Sequence, residues 1–184
     1  MRPKTDPALW QRLSEMSLGA ESAGASFASR LARENGWTLS FADRVVAEYR
    51  RFAYLAAIAR SELIPSDEVD QAWRQHLLDT RHYWGPFTDA LGKKLHHVTA
   101  EGGEEGVRFG GQYARTLALY ENEFGKPAPR EVWPPEGERF TRPLTARRVF
   151  LSEAILLPRP GLLTKTAAAL IVICALILPA AGVA

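Results

Sequence analysis

Cysteine is nearly missing from this chain of 184 residues. Cys174 is its one thiol, which leaves no intramolecular disulfide and no cysteine cluster for zinc. A strong charge of one sign is missing too, since the formal net charge is only +2. No stretch alternates apolar and polar residues with period two, so nothing announces a sheet. The opening Met1 to Gly19 intersperses Arg2, Lys4, Arg12 and Glu15 and holds no apolar run, which excludes a secretory signal peptide there. There is no internal repeat and no low-complexity tract. What remains is 46% apolar and 24% charged, ordinary globular values that exclude a wholly disordered, collagen-like or multi-span membrane chain.

The small net charge conceals an uneven distribution. Residues 139 to 165 carry Arg139, Arg142, Arg147, Arg148, Arg159 and Lys165 against Glu153 alone, while the residues before them are net acidic. A basic collar of this kind fits an anionic membrane surface, and the acidic domain before it argues against a nucleic-acid partner. The nineteen residues after the collar, Thr166 to Ala184, have no charge at all. At about 1.5 Å per residue they cross most of a bilayer core. The expectation is a single transmembrane helix within 162–184, with Cys174 as inert packing inside it. The positive-inside tendency then keeps the N-terminal domain on the cytoplasmic side of an inner, single-pass membrane.

Helical signals run through the rest. Asp6-Pro7 reads as an N-cap with proline at the first helical position, opening a helix to about Gly19. A second spans about Ser22 to Asn35 and stops at Gly36. Ser40 is expected to cap a third, with Asp43 in the capping-box position and Val45, Val46, Tyr49, Phe52, Ala53, Ala56 and Ala57 on its inner face. Pro65-Ser66 starts a fourth, in which Val69, Ala72, Trp73, His76 and Leu77 share a face. The pattern restarts at Tyr83, Trp84 and Phe87, where Pro86 forces a break. Residues 95–106 read as an exposed, mobile connection. Val107 to Phe124 forms a last helix with Phe109, Tyr113, Leu117, Tyr120 and Phe124 on one stripe. Residues 126–143 hold five of the twelve prolines and read as a linker. The expected architecture is all-α: an irregular orthogonal bundle over 1–125, a Pro-rich and basic linker over 126–161, and the membrane helix. Such a core stands without metal or disulfide.

Several segments carry a resemblance. PSDEVDQAWRQHLLDTRHYW at 65–84, LHH at 95–97, WPP at 133–135, RLARENGW at 30–37 and EYRRFAYLA at 48–56 together resemble the glycine-rich domain protein-like family. The likeness covers roughly residues 27 to 135. It implies a helical module of unsettled activity, in bacterial members joined to a transmembrane helix and sometimes to a glycine-rich tail, which is not seen here. Arg74 stands where the family places the first histidine of a Trp-His-x-His pattern, and His76 keeps the second.

One constellation has the residue types for chemistry: Asp70, His76, His82, His96 and His97. A carboxylate and two imidazoles can ligate zinc, iron or manganese. The spacing is not a metal motif, because His76 and His82 straddle a helix break and adjacent His96 and His97 point apart on regular backbone. There is no H-E-x-x-H, and Gly102, Gly103 and Gly106 sit among Glu101, Glu104 and Glu105, which would repel a phosphate. The simplest expectation makes His76 a core histidine bonded to a carboxylate or carbonyl, for which Asp70 or the loop bearing His97 is available, and Trp73, Tyr83 and Trp84 core aromatics.

Two readings of function follow. In the first the chain is a membrane-tethered, non-catalytic module that needs no cofactor and binds a protein or peptide through Asp70, Trp73, His76, His96 and His97. In the second it is a metal-dependent hydrolase in which Asp70, His76 and His97 hold a divalent ion and Glu101 or Glu104 is the base.

Overall fold

The computed structural model describes residues 3–19, 25–97 and 105–141. The chain divides into two compact units, Met1–Leu144 and Thr145–Ala184. The second, with the uncharged run and most of the basic collar, lies outside the described residues. Among the described residues no helix is long and apolar enough to cross a membrane.

The described part of the first unit is all-α, and its first five helices start where short side chains satisfy free backbone amides. Asp6 Oδ1 accepts from the Leu9 amide at 2.9 Å and opens α1, Pro7–Glu15, which stops short of Gly19. Ser26 caps α2, Phe27–Asn35, which ends on Gly36 in the left-handed region at φ 68. The expected start at about Ser22 lies outside the described residues, and the helix itself begins five positions later, at Phe27. Thr38, not Ser40, caps α3, Leu39–Ile58: Thr38 Oγ1 accepts from the Phe41 amide at 3.2 Å. Ser40 already lies in the first turn, where its Oγ accepts from Arg44.

Ser66 caps α4, Asp67–Leu78, and Asp67, Glu68 and Asp70 place negative charge on the positive end of its dipole. Asp79 interrupts the helix and caps the short α5, Thr80–His82. A wide π-helical turn, Tyr83–Phe87, follows, with Gly85 bent out of the helical region ahead of Pro86. Proline removes an amide and excludes α geometry from the residue before it, so the bend falls there. Then come α6, Thr88–Leu91, α7, Glu105–Phe124, and α8, Glu136–Thr141.

Helix α3 is the axis of the core and touches α1, α2, α4, α6 and α7. Its Val45, Tyr49, Phe52, Ala53 and Tyr54 are buried, as are Leu13, Leu31, Val69, Tyr83, Phe87, Tyr113, Tyr120 and Phe124 from the other elements. The twenty-seven apolar and aromatic residues buried among the described ones, removed from water at about 25 cal/mol per Å², dominate the folding energy.

Two expectations fail here. The Pro-rich stretch after residue 125 is not a linker over its described part. Val132 is fully buried and Trp133 is 3% exposed. Trp133 Nε1 donates to Glu48 Oε2 at 3.0 Å, and Tyr113 donates its hydroxyl to the Pro134 carbonyl at 2.7 Å. Arg139 of α8 lies over the Tyr113 ring and pairs with Asp67 at 3.0 Å. Prolines that deny the segment a helix leave its apolar side chains free to dock, and the boundary at 125 moves past α8. The second failure is the start of the connection expected to be exposed over 95–106, where His96 is exposed but Leu95 is not. Leu95 is buried, and its carbonyl accepts from Tyr83 at 2.8 Å. Residues 98–104 lie outside the described residues.

Candidate functional site

Helix α4 sorts the candidate residues by its period. Trp73 and His76, three apart, face inward with Val69, whereas Asp70 and Arg74 lie farther round the helix. Asp70 and His76 are six residues apart, which sets them about 120° from one another around the helix. Two separate polar clusters result.

The first is centred on His76, which has no exposed surface. Its Nδ1 is 2.8 Å from the Tyr49 hydroxyl and its Nε2 is 2.7 Å from His82 Nδ1. Each contact needs one hydrogen, so the Tyr49, His76 and His82 string is ordered in one of two directions. The rings of Phe27, Tyr49, Tyr83 and Phe87 meet the His76 ring edge to face at centroid distances of 5.9, 5.7, 5.0 and 4.6 Å. Burial in this aromatic cage, with His82 and Arg50 nearby and only Asp79 opposing, lowers the His76 pKa to about 3. His76 is therefore a neutral core residue. The same burial raises the Tyr49 phenol well above its ordinary value.

The second cluster joins α4 to the strap of residues 95–97. His97 Nε2 lies 2.6 Å from Asp70 Oδ1, and Arg74 Nε donates to Asp70 Oδ2 at 2.6 Å. Burial pushes the Asp70 carboxyl up, but the hydrogen bond and charge of His97, with those of Arg74, outweigh it and hold Asp70 below its ordinary value. The His97 ring sits 5.0 Å from Trp73. Trp73 Nε1 donates to the Tyr83 hydroxyl at 2.7 Å, which in turn donates to the Leu95 carbonyl. Tyr83 thus bolts the π-helical turn to both α4 and the strap.

Expectation and structure can now be compared residue by residue. Trp73 is 6% exposed and His76 is fully buried, so neither can present a groove to a partner. Asp70 and His97 meet, as a pair, and His76 points elsewhere. The ligand set Asp70, His76 and His97 is thus not assembled, and among the described residues no three of His, Cys, Asp and Glu are placed to hold one ion. Glu101 and Glu104, the proposed bases, lie outside the described residues. His76 does find a polar partner, but a phenol and an imidazole in place of the expected carboxylate or carbonyl.

His96 is the most exposed member of the constellation, with Asp70, His82 and His97 half-buried, and it emerges beside an exposed indole. Trp84 is 42% exposed, stands edge-on to Tyr83 at 4.9 Å, and faces the exposed His96 ring at 5.5 Å. Trp84 is accordingly not the core aromatic its neighbours are. The sequence also hid two buried carboxylates. Glu48 takes Arg51, Trp133 Nε1 and the Tyr120 hydroxyl. Glu123 takes the Lys4 and Thr5 amides, the Thr5 hydroxyl and the Tyr54 hydroxyl. Glu48 flanks the apolar stripe of α3 and sits three residues before Arg51, the one sequence signal that it lies inward.

Comparison with protein-family models, with curated proteins and with solved structures finds no match for this chain.

Proposed function

We propose that this chain is a membrane-tethered, non-catalytic helical interaction module, an anchored member of the glycine-rich domain protein-like family that its residues 27–135 resemble. The tether is the uncharged run within 162–184 behind its basic collar, and the positive-inside tendency keeps the helical unit cytoplasmic. The observation that carries the interaction reading is the exposed Trp84 and His96 ring pair, mounted on a turn that Tyr83 fastens to the core. A rigidly held, half-exposed tryptophan is the residue type that most often anchors an interface. Support for a non-catalytic role comes from the rest of the constellation: His76, Asp70 and His97 are each committed to partners inside the protein.

A photoreactive amino acid at position 96 in the full chain tests the reading, with position 76 as the buried control. Adducts to a second molecule are expected at 96 and not at 76. Equal labelling at both positions, or none at 96, would refute an interaction surface there. Recovery of the full chain in the soluble fraction after cell lysis would refute the tether.

A further inference from the structure

The surroundings of Trp84 name its counterpart. Along the strap the side chains alternate: Lys94 is exposed, Leu95 is buried, and His96 is exposed against Trp84. Lys94 and His96 therefore emerge on one side. Arg81 is exposed one helical step before Trp84, at the i, i+3 spacing that puts side chains on a common face. Lys93 is exposed too and donates to the Ala56 carbonyl at 2.9 Å. Between residues 80 and 97 the exposed acid is Asp89 alone, in a unit whose sequence is otherwise net acidic. An indole with cations around it is the side-chain composition suited to the headgroup layer of an anionic bilayer, where the ring sits at the interface and each basic residue meets negative potential.

We propose that the Trp84, His96, Arg81 and Lys94 corner is the face by which the helical unit lies on an anionic lipid surface. The inference rests on the tethered reading above and adds the contact that the tether makes affordable in entropy: a domain already held at the membrane meets it at high effective concentration, so a small patch suffices. Each cation within reach of such a surface raises its occupancy about fivefold. A soluble peptide partner has no such advantage and would have to be held by one exposed ring pair.

Tryptophan quenching by brominated phosphatidylcholine reads this contact directly, with the full chain reconstituted in vesicles. Trp73 and Trp133 are buried and Trp10 and Trp37 partly so, which leaves Trp84 as the most exposed indole. In vesicles containing phosphatidylglycerol, quenching is expected in the wild type. It should fall away in Trp84→Phe, and drop at least fivefold in occupancy for Arg81→Glu/Lys94→Glu or at about 1 M salt, where screening shortens the field to roughly 3 Å. Quenching that is the same with and without phosphatidylglycerol, or the same in Trp84→Phe, overturns the proposal. So does its absence from a chain that floats with the vesicles, which leaves the tether standing and returns the corner to a protein or peptide partner. A chain that does not float with either kind of vesicle overturns the tether itself.

Discussion

At the scale of single residues, a buried neutral histidine makes stability depend on pH in a definite direction. The folded His76 pKa is about 3 against an ordinary 6.5, so between those values the unfolded chain binds the extra proton. The contribution is complete above pH 6.5 and is lost as pH falls toward 3, at up to about 1.4 kcal/mol per pH unit. Asp70 and Glu123 are both held below their ordinary values, and their contribution disappears only as pH drops below about 4. Denaturant unfolding at pH 7 and pH 5 should therefore show a loss in wild type that His76→Gln largely abolishes. A pH 5 penalty of the same size in both proteins would contradict a neutral His76. Trp73 gives the companion test. Truncation to Ala removes a large buried ring and the donor to the Tyr83 hydroxyl oxygen, which keeps its own bond to the Leu95 carbonyl, at a cost of about 3 to 5 kcal/mol. Trp84→Ala, on the exposed side of the same cluster, should change the unfolding midpoint little.

At the scale of elements, the amino end of α3 separates two readings of nearly identical chemistry. Thr38 and Ser40 are both good caps by composition, but only Thr38 accepts from an amide two to three residues ahead. Thr38→Ala should lower stability by about 1 kcal/mol and Ser40→Ala by a few tenths, read from thermal melts of the two variants. The inverse order would restore the cap to Ser40. The Pro-rich segment offers a larger contrast. Trp133 fills the space between Phe52, Tyr113 and Tyr120, with centroid distances of 6.4, 6.2 and 6.1 Å, and hydrogen-bonds the buried Glu48. Trp133→Phe keeps most of that volume and removes the donor. It should still cost about 1 to 3 kcal/mol, because a buried carboxylate loses a partner. A cost near zero would mean that Glu48 is satisfied by Arg51 and Tyr120 alone.

At the scale of the whole molecule, truncation tests where the folded unit stops and whether the residues beyond it tether the chain to a membrane. A chain ending at residue 144 should melt cooperatively and leave the membrane fraction. A chain ending at 125 should lose its cooperative transition, since Val132, Trp133 and α8 go with the deleted part. Similar melts for both fragments would reinstate the boundary at 125. That boundary marks the limit of what the sequence determines by itself. The helices, most of their caps and the inward face of α4 follow from interactions between residues three or four apart, which any reader of the chain can count. The all-α class, Asp6, Ser66 and the break before Pro86 belong to this legible part. The tertiary structure decided the pairings. Tyr49 lies 27 residues from His76, His97 lies 27 from Asp70, and Trp133 lies 85 from Glu48. Such contacts depend on how helices cross, and period and composition carry no record of that. A buried Pro-rich segment and a solvent linker have the same composition, and a core tryptophan and an exposed one differ only in what packs over them. Trp73 and Trp84 thus part company through the fold alone, because the π-helical turn aims one residue of the Tyr83-Trp84 pair into the core and the other out of it.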